Sequence, residues 1–345
     1  MVQQQQFRNE SAMPLPAQVT DLAFGFMKTQ AIYVAAKLGI ADQLKDGPKS
    51  VDELSSITGV HSLSLYRLLR ALASIGVFIE NDDGSFGMTP LATTLQSDGP
   101  MSVRYGALLL GEQFFWAPWG DLIHSVMTGK AAFEHVFGMR FFEYLGRHPV
   151  VGNSFDAWMT QSSKMSDPAI VGGYDFSTFH KVVDIGGGHG SLLTTILKAN
   201  PKLKGVLFDR PEVVEATREI DAGVAERCEI AGGDFFESVP IGGDVYILQQ
   251  IIHDWNDDLS IKILQNCHKA MTVNGRVLVI DAVIAPGNAP DLTKFIDLHM
   301  LLTTGGKERT KSEFRALFDA AGFQLTNIFS APSLYMFSII EGIRK

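Results

Sequence analysis

The run Val182-Val183-Asp184-Ile185-Gly186-Gly187-Gly188-His189-Gly190 constrains this chain more than any other segment. A short apolar strand enters a glycine-rich turn, and a helical pattern starts at Ser191. Glycines between a strand and a helix let a ligand approach the backbone closely. Three more short apolar runs, GVLFD, VYILQ and GRVLVID, read as buried strands, each followed by a helical or loop segment. That alternation predicts an α/β domain built on a doubly wound parallel sheet with helices on both faces.

Glycine loops serve dinucleotides, phosphates and S-adenosylmethionine (SAM), so the surroundings must discriminate. The spacing here is G-x-G-x-G, whereas the dinucleotide fingerprint is G-x-G-x-x-G. Asp184 stands two residues before Gly186, where a carboxylate repels a pyrophosphate but suits a cation; SAM carries a sulfonium and an ammonium. Asp209 ends the second strand, placed to accept both ribose hydroxyls. Gly233-Asp234-Phe235-Phe236 follows a third strand, so Asp234 can accept an adenine amino group and Phe235 can cover the ring. A single such Asp is often only a cap or turn residue; the ordered set favours SAM.

Ligands of open parallel sheets bind beyond the carboxyl ends of the strands. His253 falls just past the fourth strand in Gln249-Gln250-Ile251-Ile252-His253-Asp254-Trp255, so it is expected to face that crevice as a general base. A phenol, of pKa ~10 by analogy with tyrosine, is a poor nucleophile until it loses its proton. Asp281, at the end of the fifth strand, and Glu308, in the Gly305-Gly306-Lys307-Glu308-Arg309-Thr310 loop, are the two acids that can orient the imidazole. Glu308 reads equally well as a surface ion-pair or capping residue. His189 lies in the glycine loop, and His299 precedes a helical segment that can line a pocket. No metal-type cluster of carboxylates or histidines is visible, and no metal is expected.

The N-terminal third has a different texture. Residues 1–16 are polar with Pro14 and Pro16 and read as a flexible tail. Helical spacing runs from Gln18 to Leu44. Ser50 and Glu53 form a capping box, Gly59-Val60 a turn, and Ser62 opens a second helix with Leu65, Leu68, Leu69 and Leu72 on its apolar face. Gly76 ends that helix, and an Asp83-Gly84 hairpin follows. Helix, turn, helix and hairpin describe a winged helix over 17–101. Residues 1–105 carry 8 Lys+Arg against 10 Asp+Glu. A module of net charge −2 lacks the basic footprint that duplex DNA requires, so dimerisation or packing is the expected role. Residues 102–345 then hold aromatic-rich linker helices and the α/β domain.

The whole chain has 345 residues and a formal charge of −9, which disfavours nucleic-acid and anionic-membrane partners. Its two cysteines, Cys228 and Cys267, fit a reducing compartment. No leader-type apolar segment opens the sequence and no run reaches membrane-spanning length, so a cytoplasmic location is expected.

The ordered series VVDIGGGHG, LFDRPEVV, GGDFF, HDW and GGKERT, behind the winged-helix start, resembles the SAM-dependent O-methyltransferases of the plant caffeate/flavonoid type and their bacterial natural-product relatives. The resemblance covers nearly the whole chain. It implies a Rossmann-like methyltransferase domain, and a homodimer exchanged through an N-terminal, mostly helical winged-helix domain. It also implies a small aromatic or enolic substrate, and S-adenosylhomocysteine as product. Gly186, Gly188, Asp209, Asp234 and Phe235 match cofactor contacts. His253 matches the base, with Glu308 and Asp281 flanking it; plant members have Glu where Asp281 stands, one methylene longer. Gln249 replaces a cofactor-contacting Lys of plant members. Phe155, Met159, Met300 and Leu301 fall in segments that line the substrate pocket. The competing readings are a heteroaromatic N-methyltransferase, a relative that uses SAM without methyl transfer, a non-catalytic SAM-binding or DNA-binding regulator, and a nicotinamide oxidoreductase.

Overall fold

The computed structural model describes residues 13–99, 101–216, 220–330, 334 and 336–345, so most of the predicted tail lies outside the described residues. Two compact units divide at Phe115/Trp116. The sequence-predicted boundary lies fourteen residues earlier, at 101/102. Helix Arg104–Gly111, assigned there to the linker, packs on helix Gly25–Lys37 of the first unit. The reason is steric: a Cβ on Gly111 would lie 2.1 Å from the ring of Tyr33, so glycine lets the two helices close.

In the first unit, helices Leu15–Ala23 and Gly25–Lys37 replace the single long helical segment expected, and helix starts two residues inside the predicted tail. The Ser50/Glu53 capping box is formed, with Gly59 left-handed at the helix C-terminus. Helix Ser62–Ala73 buries Leu65, Leu69 and Leu72, while Leu68 is half-buried. Strands β1 (Phe78–Glu80) and β2 (Phe86–Met88) pair antiparallel around a loop that turns at Gly84. Phe78 and Phe86 seal the core against Leu54 and Leu72.

The second unit carries the sheet. Its strands are β3 (Lys181–Ile185), β4 (Lys204–Asp209), β5 (Cys228–Gly232), β6 (Val245–Gln249), β7 (Arg276–Ile284), β8 (Arg309–Thr310), β9 (Phe323–Ser330) and β10 (Phe337–Arg344). The order is β5-β4-β3-β6-β7-β10-β9, with β8 against β7. Strands β3 to β7 are parallel, whereas β9 and β10 add an antiparallel pair at the β7 edge. Both faces are covered. Val183, Val206, Tyr246 and Val277 pack beneath Ile263, Leu264, Phe314 and Phe318 of helices Asp257–Ala270 and Lys311–Ala321. Val182, Leu207, Val245 and Ile247 pack beneath Leu192, Leu193 and Ile196 of helix Ser191–Ala199. Double burial explains why these strands read as continuous apolar runs. Chain order reverses between β3 and β6, the position where open sheets form their crevice.

Candidate functional site

The glycine turn leaves β3 at this reversal. Gly186, Gly188 and Gly190 all have positive φ. Gly186 has φ +69°, a conformation L side chains rarely adopt, and a Cβ there would push into the end of the Ile251 side chain at 2.4 Å. At Gly187 a Cβ would lie 2.5 Å from an Asp184 oxygen, so the turn wraps directly over that carboxylate.

Asp184 is buried on the sheet face covered by helix Ser191–Ala199. Asp167, which sequence reasoning missed, is buried beside it. Asp167 accepts from Ser191 Oγ at 2.7 Å and from Gln249 Nε2 at 3.5 Å. It sits on helix Pro149–Gly173 just before Pro168, whose missing N–H interrupts the helix ladder. Burial first, then the charges of Asp167 and Asp209, push the Asp184 carboxyl up to about 8. Burial pushes Asp167 up to about 6 against its two hydrogen bonds. Among the described residues, no Lys or Arg pairs with either group. Asp209 ends β4 and accepts from the Gly188 N–H at 2.8 Å and the Arg210 N–H at 2.7 Å. Burial raises its pKa as well.

Asp234 lies exposed in the turn after β5 and accepts from the Phe236 N–H. Phe235 is half-buried beside Gly186, edge-on to Phe236 and Trp255. Asn266 fixes this turn by donating to the carbonyls of Phe235 and Phe236. The seven residues assigned from sequence to the cofactor therefore share one rim of the sheet. A glycine cradle over buried, cation-deficient acids fits a positively charged adenosyl ligand such as SAM.

The second cluster stands past β6. Gln250, φ +54°, turns the chain into the short 3-10 segment Ile252–Asp254, which buries His253. His253 Nδ1 lies 2.8 Å from Glu308 Oε1. Burial works against a charged imidazole here, but Glu308, Asp281 and Asp254 outweigh it and hold the pKa up at about 10. Glu308 is buried, which removes the surface ion-pair reading. Gly306 explains the approach: a Cβ there would sit 2.0 Å from the His253 carbonyl oxygen. The Lys307 N–H then donates to that carbonyl at 2.9 Å.

Asp281 corrects one expectation. It does not end β7, because Val283 and Ile284 continue the strand by pairing with Arg309 and Thr310 of β8. This pairing is what brings the Glu308 loop to the sheet. Asp281 is buried, and neither carboxylate oxygen has a hydrogen-bond partner among the described residues. Burial pushes it up to about 7, offset partly by the His253 charge.

Arg309 was quoted in the sequence motif without a role. Its buried guanidinium donates to the carbonyls of Ile252 and Trp255 and to Asp257 and Ser260. It clamps the turn that carries His253. His299, on helix Thr293–Thr303, receives the Trp119 indole N–H on Nδ1 at 3.2 Å. Burial and the His253 charge push it down to about 4, so it is neutral.

Phe155 meets Phe141 edge-on, and Met159 is half-buried on the same helix. Met300 is buried beside His299 in sequence. Leu301 opens onto a cavity lined by Asn256, Asp257, Asp297, Gly305, Gly306 and Lys307, behind the Glu308 loop. The structure also gathers Asp121, His124 and His135, a metal-type set that the sequence reading did not see.

Residues 119–324 match the family model of the O-methyltransferase domain, and residues 20–98 that of the O-methyltransferase dimerisation domain. The chain is 46% identical to a phenazine O-methyltransferase of Lysobacter antibioticus, over 96% of each chain. The crystal structure of LaPhzM superposes with a TM-score of 0.90 at 44% identity, over 96% of this chain and 100% of that one. An O-methyltransferase from neocarzinostatin biosynthesis, solved with SAM and 2-hydroxy-5-methyl naphthoic acid, is similar at 33% identity and a TM-score of 0.78, over 92% and 96%. Matched relatives also include methyltransferases named for nitrogen acceptors.

Proposed function

Because the chain belongs to the O-methyltransferase family, we propose that it moves a methyl group to a hydroxyl oxygen of a small aromatic or enolic molecule of secondary metabolism. SAM-dependent methyl transfer follows from the family; the oxygen acceptor is our reading. The observation that carries it is the buried His253–Glu308 pair, 2.8 Å apart, on the same sheet edge as the glycine turn.

Bound SAM supplies a methyl group on a positively charged sulfur that needs no further activation. Asp184 and Asp167 would face its cationic part, Asp209 its ribose hydroxyls, Asp234 its adenine amino group, and Phe235 its ring. Gln249, tied to Ser166 and Asp167, would border the same ligand. The transfer leaves S-adenosylhomocysteine. No metal is assigned a part in this reaction.

His253 takes the hydroxyl proton. Its Nδ1 is committed to Glu308, so Nε2 is the nitrogen that exchanges protons; Asp254 Oδ1, at 3.9 Å, is too distant to bond it. A phenolic proton of pKa ~10 moves readily to an imidazole held at about 10, because the two affinities match. The same shift makes the neutral base a minority form at neutral pH, so the rate rises with pH. Phe155, Met159, Met300 and Leu301 border the acceptor in this reading, and alignment with exclusion of water supplies the rest of the acceleration.

A homodimer completes the proposal. Leu15, Val19, Leu22, Phe26 and Met27 are exposed on the first two helices, and Phe24 is exposed between them, inside or beside the matched dimerisation domain. A second copy would cover them. No helix among the described residues is long and apolar enough to cross a membrane. The two free thiols suit a reducing compartment, and we place the enzyme in the cytoplasm without nucleic-acid partners.

Calorimetric titration with S-adenosylhomocysteine, with NADH as control, tests the cofactor. Phenols and heteroaromatic amines are then screened with SAM for gain of one methyl. Binding of the adduct, methylated phenols and loss of rate in His253→Ala support the proposal. Methylation of ring nitrogen alone, unaffected by His253→Ala, replaces it with the N-methyltransferase reading. Absence of adduct binding overturns both.

A further inference from the structure

Remote in sequence from the glycine turn and His253, three side chains of metal-ligand chemistry converge. Asp121 stands at the N-terminal end of helix Leu122–Thr128, and His124 follows one turn along. His135 comes from helix Ala132–Phe137. One ligand atom from each lies within 4.8 Å of the other two. His135 Nδ1 and Asp121 Oδ2 are 2.7 Å apart, and the two imidazoles stack with ring centres 4.0 Å apart and 3° between planes. We infer that Asp121, His124 and His135 bind a first-row divalent cation such as zinc.

Two imidazoles and a carboxylate are the donor types that zinc prefers, and three protein ligands leave one position for water. Zinc–ligand bonds of about 2.0–2.2 Å put the donors of a tetrahedral site roughly 3.3 Å apart. The Asp121–His135 contact must therefore open by about half an ångström, and the His124 ring must swing toward it. Side-chain rotation suffices, because the backbone is already held. Gly129, φ +69°, closes the first helix, and buried Ser125 accepts the Ala132 N–H at 3.0 Å. Phe133 is buried against Phe137, Phe141 and Tyr144. The His135 side chain is 58% exposed, so an ion can enter and keep its water. Both helices contact helix Thr293–Thr303, the carrier of His299 and Met300, so a bound ion would tie together two segments that pack on it.

The test uses the full chain without an affinity tag. Zinc is titrated by calorimetry, and cobalt is added in parallel so that its visible absorption reports the ligand set. The expected result is one ion per chain and a cobalt spectrum of nitrogen and oxygen ligation. His124→Ala, His135→Gln and Asp121→Asn should each weaken zinc by more than about tenfold, the low end of what losing even an outer-shell partner costs. His135→Gln changes an exposed side chain, so it keeps the test valid if another variant fails to fold. No zinc binding by the wild-type chain, unchanged affinity in His135→Gln, or a thiolate band in the cobalt spectrum would each overturn the site.

Discussion

Two clusters of buried acids flank the same sheet reversal, and they differ in what neutralises them. Around His253, three acids share the interior with an imidazole, and the guanidinium of Arg309 clamps the turn beside them. Around the glycine turn, Asp167 and Asp184 are buried with no Lys or Arg paired to them among the described residues, and half-buried Asp209 has only the charge of neighbouring Arg210 to offset its own. The first cluster carries its own counter-charge and is a finished device for holding a proton. The second is short of positive charge, and a cationic ligand would relieve it. Burying an unpaired charge is costly, so a protein keeps such a deficit where a ligand supplies the missing partner.

The largest expected effect tests the first cluster. His253→Ala should lower kcat by about 10²–10⁴-fold on a phenolic substrate. S-adenosylhomocysteine affinity should stay unchanged, since that ligand is proposed to bind at the other cluster. Loss of both in calorimetry would erase the distinction.

Arg309→Met should come next. It strips hydrogen bonds from three backbone carbonyls and Ser260 and leaves Asp257 without its guanidinium, so a loss of about 3 kcal/mol is expected in chemical denaturation. Asp257 is half exposed, which keeps the figure below that of a fully buried pair. An unchanged denaturation midpoint would show that the turn does not depend on the clamp.

Glu308→Gln sharpens the comparison through pH. Glu308 is the largest influence raising the His253 pKa, so its neutralisation should lower that pKa from about 10 toward the ordinary imidazole value. A base acts when deprotonated, so the rising limb of kcat/KM should move to lower pH. A limb that stays in place would assign the titration to another group.

The smallest effects belong to the cation-deficient side. Asp184→Asn should weaken S-adenosylhomocysteine by about tenfold, the scale of one charge-assisted hydrogen bond. It should also change how stability responds to pH. In the wild type the folded pKa, about 8, exceeds that of the unfolded chain, about 3.9. Between those values the native state binds more protons, so this group's contribution is fully present below about 4 and is lost as pH rises through about 8. The variant should show a flatter decline in thermal midpoint over that window. An identical slope would mean that the burial of Asp184 carries no such cost.

How much of this was legible beforehand follows range in sequence. The capping box at Ser50/Glu53, the glycine turn after β3 and the strands β3, β4 and β6 are local signals, and they are where the sequence placed them. Asp167 was not legible, because an Asp before a Pro in a long helix announces only a break. Arg309 sat inside a recognised motif, yet its partners lie about fifty residues away along the chain. The pair β9 and β10 was passed over, and so was the continuation of β7 past Asp281, which pairs with β10 at Ala282 and with β8 at Val283 and Ile284.

By itself, then, the amino-acid order determined the elements whose causes lie within a few residues: turns that demand glycine, caps, and apolar runs long enough to be buried strands. It also determined which residue types can hold a cation or move a proton. Tertiary structure decided which of them share an interior. Glu308 became a buried partner of His253 rather than a surface acid, and Asp184 acquired Asp167 as a neighbour. Histidines eleven residues apart were stacked face to face. The physical reason is that charge, burial and hydrogen bonding act through space over a few ångströms, and only the folded chain sets those distances.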